Sequence, residues 1–106
     1  MSGGDESVQL QQAKIEYYYS SATCQLKVKK DQQSLRFLLE SKNVTFDDFD
    51  VCLDQMRKAE MQAKSGKASL PQLFVDDRFV GGYDEVQYME ELGTLDQVLF
   101  KEVDGV

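Results

Sequence analysis

From Lys14 onward the chain switches between two hydrophobic periods. Ile15-Glu16-Tyr17-Tyr18-Tyr19 is β-branched and aromatic and predicts a strand, with at least one tyrosine ring in the core. It runs into Ser20-Ser21-Ala22-Thr23, a small polar loop in which Thr23 is a candidate helix cap. At Cys24 the period changes. Val28, Leu35, Leu38 and Leu39 recur at helical spacing, with Lys27, Lys30, Gln33 and Arg36 on other faces, so a helix is expected to about Lys42, ending at Asn43. Thr45–Val51 reads as a second strand, with Phe49 and Val51 alternating against Asp48 and Asp50. Asp54–Lys64 is built from helix formers, and Ser65-Gly66 ends it. Leu70–Val75, around the single proline Pro71, predicts a short strand; Asp76-Asp77-Arg78 turns it into Phe79-Val80, and Gly81-Gly82 stops that run. Asp84–Leu92 is expected as a third helix, with Asp84 a good cap, and Leu95, Val98, Leu99 and Phe100 as a last amphipathic turn. Residues 1–13 lack hydrophobic periodicity and open on Ser-Gly-Gly, so they are expected to be a flexible polar leader before a single domain at 14–106.

The order is β-α-β-α-β-β-α. A βαβ start implies parallel pairing with a right-handed crossover, and the closing hairpin adds antiparallel strands. The expected architecture is α/β, a four-stranded mixed sheet with helices on both faces. The length of 106 residues suits one such domain.

Composition narrows the chemistry. The net charge of −7 argues against nucleic acid, which needs a positive surface. With no histidine there is no Ser-His-Asp triad, no Cys-His dyad and no imidazole zinc ligand. Cys24 and Cys52 are too few for a disulfide scaffold or an all-cysteine metal site. Cys52, after the second strand, reads as a half-buried small hydrophobe. The Asp47-Asp48…Asp50 and Asp76-Asp77 groups have no metal-ligand spacing, so no metal site is expected. No stretch approaches the roughly 20 apolar residues of a membrane span, and the first residues carry no secretory apolar region. The expectation is a reduced, cytoplasmic monomer with no membrane or nucleic-acid partner.

Three segments carry a resemblance. Ser69-Leu70-Pro71-Gln72-Leu73-Phe74-Val75, followed by Phe79-Val80-Gly81-Gly82-Tyr83-Asp84-Glu85, resembles the glutaredoxin pattern Thr-Val-Pro-x-x-Phe with its later Gly-Gly-x-Asp-Asp, in order and spacing. Met89-Glu90-Glu91-Leu92-Gly93-Thr94-Leu95 is similar to the glutaredoxin ending. Residues 14–100 thus look like a thioredoxin-like, glutaredoxin-class fold. Lys30-Asp31-Gln32-Gln33 and Gly82-Tyr83-Asp84 are similar to one branch, the Src-homology-3-binding, glutamate-rich-like proteins, which lack the usual Cys-x-x-Cys.

The resemblance implies a site. Cys24 falls at the glutaredoxin nucleophile position, where a thiol over a helix N-terminus faces unpaired amides and the positive dipole end. Lys27 replaces the second cysteine one turn on, and its ammonium would favour thiolate; a dithiol mechanism is ruled out. Pro71 would be the cis-proline of the fold, with Leu70 presenting its backbone to glutathione or an extended peptide. Gly81 and Gly82 permit close backbone approach. There the family's amides take the γ-glutamyl carboxylate, and Asp84 matches the aspartate that takes its ammonium. Three features depart from the catalytic pattern. Ser21 stands where a lysine receives a glutathione carboxylate, Gln25 replaces Pro or Gly, and Tyr83 replaces a small residue. With Pro71 the only proline, no Pro-x-x-Pro ligand for Src-homology-3 domains exists.

Two functions compete. The first is a non-catalytic interaction or redox-modulating module with an unidentified protein partner and no required cofactor. The second is a monothiol glutaredoxin-like oxidoreductase in which Cys24 attacks a protein–glutathione mixed disulfide and a second glutathione regenerates it. Iron–sulfur carriage by Cys24 and glutathione is a third reading, and Gln25-Leu26 lacks the glycine loop it needs. The resemblance leaves glutathione binding open.

Overall fold

The structure is a computed structural model that describes residues 8–104. Its elements are β1 (Val8–Gln12), β2 (Ile15–Tyr19), α1 (Leu26–Ser41), β3 (Asp47–Asp50), α2 (Gln55–Ser65), β4 (Gln72–Val75), β5 (Arg78–Gly81), α3 (Tyr83–Leu92), α4 (Leu95–Leu99) and β6 (Phe100–Asp104). The main sheet has the order β3-β2-β4-β5, with β2 parallel to β3 and the other pairs antiparallel. This is the mixed four-stranded α/β sheet that the segment order implies.

Helices cover both faces, and the alternation along β2 shows why. Ile15 and Tyr17 point into a core with Leu35 and Leu39 of α1, Val86 of α3 and Leu95 of α4. Tyr18 points the other way, against Met61 of α2, Val51 and Phe74. Both Tyr17 and Tyr18 are 1% exposed, because a central strand has no solvent face when both sides are layered. The β4–β5 hairpin turns through Asp76 and Asp77, at φ 52° and 65°, directly between the paired residues Val75 and Arg78. Two positive φ values match the right-handed twist of the flanking strands, and aspartate tolerates them.

Several expectations need correction. Residues 1–7 of the expected leader lie outside the described residues. Val8–Gln12, expected as leader, is a strand, paired antiparallel with β6 in a separate two-stranded ribbon. Phe100 begins β6 rather than closing an amphipathic turn. The ribbon is joined to the body where the Ala13 N–H donates to the Leu99 carbonyl at 2.8 Å. Gln12 adds a second tie, its amide giving 2.6 Å to the Thr45 carbonyl and taking the Thr45 N–H at 2.7 Å. Cys52 is exposed, not half-buried. Val51 enters the core beside it, and the Leu53 N–H bonding the Asp50 carbonyl makes a turn that sends Cys52 outward.

Candidate functional site

The helix expected at Cys24 starts two residues later, at Leu26. Gln25 is extended (φ −79°, ψ 122°) and donates its N–H to Thr23 Oγ1 at 3.3 Å. Thr23 therefore closes a local turn instead of capping α1, and Cys24 is carried in the exposed loop before the helix. Gln32 fixes the start of this loop. Its side-chain amide takes the Ser20 N–H (2.9 Å) and gives to the Ser20 carbonyl (3.1 Å), imitating a neighbouring strand. Tyr17 Oη donates to the Gln32 carbonyl at 2.7 Å from inside the core. Burial pushes the Tyr17 hydroxyl pKa well above its ordinary value, although the Arg36 guanidinium over its ring pulls the other way. On the other side, Asp50 Oδ1 accepts the N–H groups of Ser21 and Cys52, both at 3.1 Å, tying the loop before α1 to the turn after β3.

A cleft of about 260 Å³ lies between the first turn of α1, the loop before β4 and the start of α3. Lys27, Leu70, Pro71, Gly82, Tyr83 and Asp84 all line it. Of the residues singled out in sequence, two do not. Gly81 is buried behind it, and Cys24 is not among the described residues that line it. The Leu70–Pro71 peptide bond is cis. Among the described residues, neither the N–H nor the C=O of Leu70 has a hydrogen-bond partner. The buried Gln72 holds this wall in place, its Nε2 donating to the carbonyls of Lys67 and Ser69 at 3.0 and 2.8 Å. Across the cleft, a Cβ on Gly82 would stand 3.2 Å from the Pro71 carbonyl oxygen, so glycine is what lets the two loops meet.

Two sequence-based roles change here. Asp84 does not cap α3, because the helix begins at Tyr83 with Gly82 as its N-cap, and the carboxylate of Glu85 reaches back to the Gly82 N–H at 2.7 Å. An amide that the resemblance offers to a ligand carboxylate is thereby engaged by a carboxylate of the protein. Lys27 is turned to carboxylates too: its Nζ is 2.8 Å from Asp31 and 3.7 Å from Asp84. The hydrogen bond to Asp31 raises its pKa, with Asp84 adding to the effect, so the ammonium bridges the mouth of the cleft. Sequence reasoning missed Asp31, Lys67 and Phe79 as cleft residues. Their signal was weak, since each sits in an ordinary polar helix, loop or hairpin and joins the site only by folding.

A four-stranded sheet of this order, with a cis-proline loop facing the start of its first helix across a Gly-Gly turn, defines a glutaredoxin-class thioredoxin fold. The sequence profile of the family described as SH3-binding, glutamic acid-rich protein matches residues 13–101, and the chain belongs to that family. It is also related to glutaredoxins. It is 36% identical over 83 residues to glutaredoxin 1 of Rickettsia prowazekii, covering 76% of this chain and 82% of that protein. A buckwheat glutaredoxin solved as a glutathione complex has the same fold, with TM-score 0.67 at 13% identity, covering 82% of this chain and 76% of the other. So does the Candida albicans actin interacting protein Aip5, with TM-score 0.69 at 20% identity, covering 82% and 88%. Among the described residues, no helix is long and apolar enough to cross a membrane.

Proposed function

We propose that the chain is a non-catalytic interaction module that receives an extended segment of a partner protein in the cleft beside Leu70–Pro71. The observation that carries this is the free backbone pair at Leu70, in a cleft whose lining residues include neither Cys24 nor Cys52. A strand-like ligand would bond the Leu70 N–H and C=O, and Phe79 and Val28 would offer apolar contact. Glutathione is not required by this reading. The Gly82 amide is held by Glu85, Asp84 by Lys27, and Ser21 stands where a cation would be needed. Such binding is compatible with cytoplasmic work as a redox-modulating adaptor.

The test is glutathione-dependent reduction of a glutathionylated peptide by the wild type and Cys24→Ser. The expected result is no turnover by either, with Cys24 alkylating no faster than an ordinary thiol at neutral pH. Clear turnover that disappears in Cys24→Ser would overturn the proposal in favour of a monothiol oxidoreductase.

A further inference from the structure

Among the described residues, both sheets end in free edges, and these edges differ in how they are guarded. β3 carries Asp47, Asp48 and Asp50; β5 carries Arg78 and is bulged against β4; β6 carries Lys101 and Glu102. Charges and bulges of this kind keep an edge from pairing with another chain. β1, Val8-Gln9-Leu10-Gln11-Gln12, has no charge and no proline. Among the described residues its outer edge is unguarded, and it belongs to a ribbon of two strands. Such a ribbon is marginal in water by itself. Leu10 on β1 is 69% exposed, beside an apolar hollow that includes Phe100.

We propose that the free edge of β1 pairs with β1 of a second copy, antiparallel about a two-fold axis at Leu10, joining two ribbons into one four-stranded sheet. The sequence argues for a copy of the same chain, because Gln9-Leu10-Gln11 is palindromic about that axis. In this register Leu10 meets the partner's Leu10, and each Gln9 meets the partner's Gln11. No like charges face each other, although each copy carries a net −7. An isologous interface of this kind is self-complementary and closed, so it stops at two.

Sedimentation equilibrium with a thiol reductant present, which silences Cys24 and Cys52, tests the pairing. The wild type is expected to be dimeric within about 10 µM to 1 mM. Gln9→Glu with Gln11→Glu sets carboxylates opposite each other twice across the axis. Within one chain the change favours the ribbon, because Gln11 lies opposite Lys101. This variant is expected to dimerise at least about tenfold more weakly. Gln9→Lys with Gln11→Glu turns both repulsions into attractions and should restore wild-type affinity to within about twofold. A wild type that stays monomeric throughout, a dimer indifferent to the double glutamate, or a Lys/Glu variant as weak as the double glutamate would each overturn the proposal.

Discussion

Gly81 and Gly82 are adjacent, yet they are glycine for different reasons. Gly81 has φ 153°, and a Cβ there would stand 2.6 Å from the Glu85 Cβ. Gly82 has an ordinary φ of −90°, and its added Cβ would press at 3.2 Å on the Pro71 carbonyl oxygen. Gly81→Ala is expected to cost about 1–3 kcal/mol through strain and overlap. Gly82→Ala should cost less, and should show its main effect as shifted amide resonances around Leu70. Urea titration of both variants checks the ranking, and a larger loss at Gly82 would contradict it.

Asp50 is the residue whose charge matters to the loop that carries Cys24. Burial works against its ionised form, but hydrogen bonds from Ser21 and Cys52 outweigh it and hold its pKa below the ordinary 3.8. A folded value below the unfolded one means that the carboxylate stabilises the native state above about pH 4. That contribution is lost as pH falls through the lowered value. Asp50→Asn is therefore expected to reduce stability at pH 7 and to reduce it less near pH 3. Equal losses at both pH values in urea unfolding would show that the charge plays no part.

At the scale of elements, α1 is attached to β2 by polar contacts as well as by Leu35 and Leu39. Gln32, only 9% exposed, bonds both backbone groups of Ser20, and Arg36 lies over the Tyr17, Tyr19 and Phe46 rings while pairing with Asp48 at 2.9 Å. Gln32→Leu would leave the Ser20 N–H and C=O without those partners. Its expected cost is about 1–3 kcal/mol, with faster hydrogen exchange at the Ser20 amide as the local sign. Tyr17→Phe removes one hydrogen bond to the Gln32 carbonyl and should cost about 1 kcal/mol. The two losses share Gln32, so a double variant should fall short of their sum.

For the whole molecule, the ribbon is tied to the body by the Gln12 and Ala13 hydrogen bonds, by Phe100 against the core and by the Lys101–Asp76 pair at 2.9 Å. Removing residues 1–11 takes away β1 pairing but leaves the Gln12 amide on the Thr45 backbone. Removing residues 1–12 breaks that tie as well, and should destabilise the remaining sheet by about 1–2 kcal/mol more. Thermal unfolding followed by tyrosine circular dichroism measures the difference; identical midpoints would mean that the Gln12 tie adds nothing.

The sequence by itself determined what depends on local pattern. The β-branched and aromatic run Ile15–Tyr19, helical spacing from Val28 to Leu39, paired aspartates at 76 and 77, and the spacing from Pro71 to Gly82 are each constrained by backbone geometry within a few residues. They sufficed to specify the main sheet and the segments that border the cleft. Only the tertiary structure decided what depends on residues far apart in the chain. Val8–Gln12 is a strand because Phe100–Asp104 lies beside it, since the hydrogen bonds that define a strand are made by its partner. The exposed loop that carries Cys24 takes a path set jointly by Thr23, Gln32 and Asp50, and Lys27 faces Asp84 only once α1 and α3 have packed. Side chains between elements choose partners after collapse, and no period in the sequence records that choice.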